Sequence, residues 1–590
     1  MLKLFKNLKF IDYLFLILVI ALVVMQVWLE LKMPDYTSKL TELIAYEGVT
    51  PGTLKMKDIW YNGGMMLLCA FFAMVAMMLA SFFTANLSAN ISYSLRKELM
   101  EKVTTFSNVE MNKFTTPSLI TRTTNDVFQI QMFAAMGIQF LIKSPVMALW
   151  AILKISNTSL DWMLATFCFV AAVLIVVITL VLIVLPKFKK IQKLTDDLND
   201  ITRENISGVR VIRAFNAEDY QNAKFEKVNE NVTRTNLFTS RTLGIMQPFM
   251  MLCMNSLTVV IYLIGAKLIN EAELVNKATV LGNMTAYTQV AMHVVMSFMF
   301  LVVIFVILPR TVVAAKRISE VLNTTPIIQD GEDKSKETIR GSIEFNNVTF
   351  SYTNDLNHAA LIDISFKVNP GETVAIIGAT GSGKTTLINL ISRFYDATAG
   401  EIKINGRNIK DYKIEELNKR ISLATQKAVL FSGDVKKNVT YGANYDEERF
   451  NKVVNLAQAS FIYDLECKKN ATVAQGGTNF SGGQKQRLAI ARCLYKDADI
   501  YIFDDSFSAL DYKTDMLVRK GINENYKDKT KIIVAQRIGT IRQADKIIVL
   551  DEGIIVGIGK HDELLKNCSV YKEIALSQLS SEELNVKEAE

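Results

Sequence analysis

Residues 374–385 read Val374-Ala375-Ile376-Ile377-Gly378-Ala379-Thr380-Gly381-Ser382-Gly383-Lys384-Thr385, and Thr386 follows. Four apolar residues form a short strand, and the run from Gly378 to Thr385 matches GxxxxGK[ST]. Glycines at this spacing let backbone N–H groups turn inward around an anion, and the helix that starts at Lys384 adds the positive end of its dipole. The strand–loop–helix order gives the pattern its meaning: a loop that cradles phosphates, with Lys384 as a point charge on them and the Thr385 hydroxyl available to Mg²⁺. This predicts an α/β nucleotide-binding domain in the C-terminal half.

Two more elements lie downstream. Ile500-Tyr501-Ile502-Phe503-Asp504 is a second apolar strand ending in a carboxylate, the shape that brings an aspartate to Mg²⁺, here through a water. Asn479-Phe480-Ser481-Gly482-Gly483-Gln484 places glycines before a helix, a second candidate anion cradle. It lies so far along the chain from the first loop that one fold would not bring both to the same phosphates, whereas two facing copies would.

The N-terminal half is different in kind. Hydrophobic residues make up 50% of the 590, more than a soluble chain of this size needs. Six apolar stretches are long enough to cross a hydrocarbon core as helices: 11–32, 61–84, 130–153, 162–185, 243–266 and 281–308. Lys3, Lys6 and Lys9 precede the first, and Lys/Arg clusters follow the second and fourth, so both termini are expected in the cytoplasm of a multi-pass cell-membrane protein. The inner excursions keep helical periodicity and turn around 116–122 and 209–215, with Pro117 as a helix start. Lys143 and His293 stand out inside the spans, as does a run of methionines including Met74, Met77, Met78 and Met254.

The expected domains are 1–317, transmembrane, then a polar linker at 318–342, then 343–590. The net charge of +7 reflects cytoplasmic Lys/Arg bias, and no basic stripe interleaved with aromatics points to nucleic acid. The six cysteines show neither CxxC nor metal spacing.

Together these elements resemble the ABC transporter superfamily, over nearly the whole chain, in the arrangement of the type IV exporter half-transporters. The resemblance implies that ATP sits between one chain's phosphate loop and the partner chain's Ser481–Gln484 equivalent. It assigns Tyr352 to stacking on adenine, Gln426 to Mg²⁺ and to sensing the membrane domain, Ser508-Ala509-Leu510-Asp511 to a loop crossing to the partner, and the turns at 116–122 and 209–215 to coupling helices.

Two departures sharpen the expectation. Asp505 stands where the family has the glutamate that polarises water, and Gln536 stands where it has the switch histidine. Aspartate draws its carboxylate back by about 1.5 Å, and a misplacement near 1 Å costs about 100-fold. None of the three histidines, His293, His358 and His561, is placed to substitute for Gln536. The chain therefore resembles the degenerate-site subunit of a bacterial heterodimeric multidrug exporter, working by alternating access on amphipathic small molecules, lipids or peptides. The expected partner is a second half-transporter with intact Glu and His. Competing readings are a homodimer in which Asp505 works, an exporter-shaped metallophore importer, and a non-transporting ATP-dependent regulator.

Overall fold

The computed structural model describes residues 10–49, 56–156, 160–273, 276–332, 337, 339–353 and 355–579. Lys3, Lys6 and Lys9, on which the orientation rests, lie outside them, as does part of the 318–342 stretch. The chain divides into two units: Met1–Thr104 with Thr116–Thr324, and Thr105–Thr115 with Thr325–Glu590.

The first unit is all helical. Six helices are long and apolar enough to cross a membrane, one for each stretch expected from the sequence. They are longer than the apolar stretches alone. Phe10–Val49 and Met56–Thr104 run for 40 and 49 residues, and Leu160–Ser207, at 48 residues, spans about 72 Å at 1.5 Å per residue. Val27 and Leu31 of the first helix, Met147 and Ala151 of the third, Trp162 of the fourth, Leu257 and Ile261 of the fifth and Ala291 of the sixth share one core. The last helix, Lys277–Asn323, runs through the start of the stretch expected as linker.

The second inner turn forms where the sequence placed it, as the short helix Val209–Ala214 between Leu160–Ser207 and Glu218–Gly244. The first does not. Thr116–Thr121 already begins the next long helical run, with Pro117 in its first turn, and the turn itself is 105–115. There Ser107 caps the helix Asn108–Phe114 through a reciprocal capping box with Glu110. This segment belongs to the second unit: the other Glu110 oxygen accepts from Ile327 N at 3.0 Å, and Val109 packs on that unit's core.

The second unit carries two sheets. The six-stranded sheet runs in the order Ile554–Gly559, Lys546–Asp551, Thr373–Gly378, Thr530–Val534, Ile500–Asp504, Ile421–Ala424. All pairs are parallel except the first, and its central strands are buried throughout, as a sheet covered on both faces requires. A four-stranded antiparallel sheet built on Ile343–Phe350 packs its apolar face beside it. The loops after Gly378, Asp504 and Val534 leave the same carboxyl edge of neighbouring strands, which gathers the functional residues.

Candidate nucleotide site

Gly378 ends its strand against the strand Lys546–Asp551, and a Cβ there would overlap the Leu550 carbonyl oxygen. Gly381 (φ +87°) and Gly383 (φ +97°) hold backbone that side-chain-bearing residues rarely adopt. A Cβ on Gly383 would also meet Leu361 Cδ2 at 2.6 Å, whereas one on Gly381 would meet nothing. The cradle therefore depends on Gly378 and Gly383 for space. Gly378→Ala is expected to destabilise the second unit by about 1–3 kcal/mol through overpacking, read as a lowered melting temperature of the purified protein.

Lys384 Nζ donates to Gly378 O at 2.9 Å and Ala379 O at 2.6 Å, with Ser382 Oγ at 3.4 Å. Its ammonium is thus folded onto its own loop; burial pulls its pKa down, and Asp505 and Asp504 oppose that pull. Thr380 and Thr385 are exposed beside it, and Ser382 is buried. Thr386 shares a hydrogen bond of 2.9 Å with the Tyr352 hydroxyl. The Tyr352 ring stands edge-on to Phe350 and Tyr395 and remains 53% exposed, so a face is open for stacking.

Asp504 is buried at the end of its strand, and its pKa is pushed up to about 6 by burial and by the Asp505 carboxylate, against the pull of Lys384. Asp505 takes a left-handed backbone, φ +46°, and its N–H donates to Val534 O at 3.0 Å. Gln536 Nε2 reaches Asp505 Oδ2 at 3.1 Å, and Gln426 Nε2 approaches the same oxygen at 3.4 Å. The structure thus joins the two residues that depart from the expected pattern to the glutamine expected to sense the membrane domain. Burial raises the Asp505 pKa, while hydrogen bonds from Gln426 and Ser508 and the charges of Lys384 and Arg537 lower it.

Among the described residues no imidazole approaches Asp505. His358 pairs with Asp355 on an exposed turn, and buried His561 bonds the Tyr571 hydroxyl at 2.8 Å.

Ser481 caps the helix Gly482–Tyr495 in a second capping box, with Gln484 N to Ser481 Oγ at 3.3 Å and Ser481 N to Gln484 Oε1 at 2.9 Å. Ser481 and Gly482, at the start of that helix, are exposed. Ser508 Oγ returns to Asp505 O at 2.9 Å, the Ala509 carbonyl faces Gly483, and Leu510 is buried. Asp511 caps the helix Tyr512–Asn525 through Thr514 N, at 3.0 Å.

The model matching residues 361–508 is that of the ABC transporter, and the one matching 14–292 is that of the ABC transporter transmembrane region. The chain belongs to the ABC transporter family. It is 34% identical to an uncharacterized ABC transporter ATP-binding protein of Mycobacterium tuberculosis, over 93% of each chain. It is 31% identical to another of Bacillus subtilis, over 98% of this chain and 99% of that one. An ATP-dependent lipid A-core flippase of Pseudomonas fluorescens is 32% identical, over 84% of this chain and 82% of its own length. A bacterial Atm1-family ABC exporter solved with ATP bound has the same fold, with a TM-score of 0.78 at 21% identity over 94% of this chain and 97% of that one. This ABC transporter is therefore a multi-pass membrane protein with an ATPase domain.

One residue of this transporter carries no sequence signal. Gln578, just past the helix Ser569–Leu576, donates from Nε2 to Gln536 O at 2.7 Å and accepts from Ile538 N at 2.8 Å. It clamps the backbone at Gln536 and Ile538. Gln578→Ala removes two hydrogen bonds worth about 0.5–1.5 kcal/mol each. ATP affinity at this chain's loop is expected to fall several-fold, with Gln578→Glu, which keeps only the acceptor arm, in between. Fluorescent-ATP titration checks the order.

Proposed function

We propose that this chain is one half of a heterodimeric ABC exporter that binds ATP at its own loop, hydrolyses it slowly there, and lends Ser481–Gln484 to the partner's active site. The observation that carries this reading is the Asp505 carboxylate, one methylene short and held by the amides of Gln536 and Gln426. A glutamine can hydrogen-bond a γ-phosphate but cannot carry positive charge or exchange a proton as an imidazole does. Losing a positioned base costs about 10²–10⁴-fold.

In this reading Gly378–Thr386 hold the phosphates, Tyr352 stacks on adenine, and Ser508–Asp511 cross to the partner. The residues near the loop also suit Mg²⁺: the Thr385 hydroxyl, the Gln426 amide oxygen and the Asp504 carboxyl form an oxygen-only set, and Mg²⁺ favours oxygen donors and keeps several waters. When bound it neutralises charge on the β- and γ-phosphate oxygens. Asp504, ionised, faces that charge, and Lys384 is released from its own carbonyls to reach the phosphates.

The exposed tip of the second inner excursion supports a two-chain assembly. Ile206, Val211 and Phe215 present apolar surface there, and Phe215 is 78% exposed. ATP-driven closure of the paired ATPase domains would pull on such tips and turn the cavity outward, with hydrolysis at the partner's site resetting it. The site of action is the cell membrane, with both termini in the cytoplasm. Amphipathic small molecules, lipids or peptides are the substrate class.

The test is ATP turnover by the chain purified alone, beside the chain co-purified with its partner half-transporter. Turnover near background alone and robust turnover by the pair support the reading. Turnover by the chain alone at about 1 s⁻¹ or faster, within the ordinary enzyme range, would make Asp505 a working base and the functional unit a homodimer.

A further inference from the structure

The membrane unit carries a charged seam on its first, third and sixth long helices. Glu30 Oε1 receives Lys143 Nζ at 2.9 Å and Gln26 Nε2 at 2.7 Å, with the two charged side chains only 17% and 19% exposed. Further along the same helices Asp35 pairs with Lys154, whose ammonium also donates to Leu31 O. Beyond that, Ser38 reaches Asn283 Oδ1 at 3.3 Å, and Thr279 donates to Glu42 Oε1 at 2.7 Å.

Packing alone does not require this. Helices in a bilayer associate well through small and apolar residues, and taking two charges from water costs more than their attraction returns unless the geometry is good. Glu30 and Lys143 lie within the stretches 11–32 and 130–153, where ionisable groups mark functional sites. Just past the ends of those stretches, the next charges of the seam border a space. A cavity of about 360 Å³ opens against Asp35, Lys39, Glu42 and Lys154, with Ile155 and Val290 as apolar wall. That volume is in the range of small-molecule sites, about 300–1,000 Å³.

The charges on the lining name the ligand. Two carboxylates, Asp35 and Glu42, and two ammoniums, Lys39 and Lys154, share it. A purely anionic ligand that takes Lys154 leaves Asp35 only Lys32, at 3.9 Å, and a purely cationic one that takes Asp35 leaves Lys154 only the Leu31 carbonyl, so each weakens one half of the pair. A zwitterion replaces both partners at once. We propose that this cavity binds a zwitterionic group, its phosphate or carboxylate on Lys154 and its ammonium on Asp35 and Glu42, with Ile155 and Val290 receiving attached apolar substance. The proposal deepens the exporter reading by naming its substrate class, but it is a statement about equilibrium binding without ATP.

Native mass spectrometry of the full chain in detergent tests it, with dioleoyl phosphatidylethanolamine, dioleoyl phosphatidylglycerol and water-soluble glycerophosphoethanolamine as probes. Phosphatidylethanolamine should bind saturably and phosphatidylglycerol about tenfold more weakly, the equivalent of one charge-assisted hydrogen bond. Asp35→Asn and Lys154→Met should each lose about the same factor. The double variant Asp35→Lys with Lys154→Asp, which keeps the seam neutral, should retain binding, and it carries the test should either single variant fail to fold. Soluble glycerophosphoethanolamine binding as tightly as the lipid assigns a free zwitterion as the source; weaker binding assigns a lipid headgroup. Equal binding of the two lipids, or single variants without effect, overturns the proposal. ATP titration of the same preparations reads the nucleotide site separately, so failure of one reading leaves the other standing.

Discussion

Asp505→Glu is expected to raise hydrolysis at this chain's own phosphate loop by about 100-fold, the factor that a misplacement of about 1 Å removes. The measurement is phosphate release by the assembled pair after the partner's catalytic glutamate has been silenced, so that only this site contributes. The longer side chain carries the carboxylate past the point where Gln536 and Gln426 now hold Asp505 Oδ2. The backbone cost is small. Asp505 sits at φ +46°, a region aspartate tolerates better than glutamate, and the difference is a fraction of the about 1–2 kcal/mol penalty of left-handed backbone. Adding Gln536→His should raise the rate again, since an imidazolium can face the γ-phosphate where an amide cannot. An unchanged rate in both variants would place the defect outside Asp505 and Gln536 and sink the degenerate-site reading.

The strand–loop–helix around Gly378 and the six spans were readable because each rests on local physics. Glycines at fixed spacing have one use beside a buried strand, and twenty apolar residues have few soluble fates. The first inner turn was half readable. Ser107 and Glu110 stand at capping-box spacing and mark the turn, whereas Pro117, a helix start as its residue type suggests, opens the run that follows the turn. That Glu110 then accepts from Ile327 N depends on a partner 217 positions away, which no local pattern encodes. The same holds for Lys143 with Glu30 and for Gln578 with Gln536, separated by 113 and 42 positions. The left-handed backbone at Asp505 arises from the turn between its strand and the bond to Val534 O, and aspartate's identity there advertised chemistry rather than conformation.

Gly482→Asp should abolish turnover by the pair, a loss of about 10²–10³-fold or more, the cost of removing one preorganised donor from a charged transition state. The fold gives the variant unusual clarity. A Cβ on Gly482 meets no atom within 4 Å, so the side chain enters open space. Gly482 is also the first residue of the helix Gly482–Tyr495, where a carboxylate gains about 0.3–1 kcal/mol from the helix dipole. Stability should therefore hold or rise slightly while function collapses, because in the proposed pair the new carboxylate would occupy the N–H cradle offered to the partner's ATP. The same change separates the two assemblies. In an asymmetric pair, ATP affinity at this chain's own loop stays unchanged, since Gly378–Thr386 face the partner's signature and not their own. In a homodimer, both sites receive the carboxylate, and affinity falls with turnover. Fluorescent-ATP titration beside turnover on one preparation reads the two quantities together, and retained turnover would mean that this signature serves no active site.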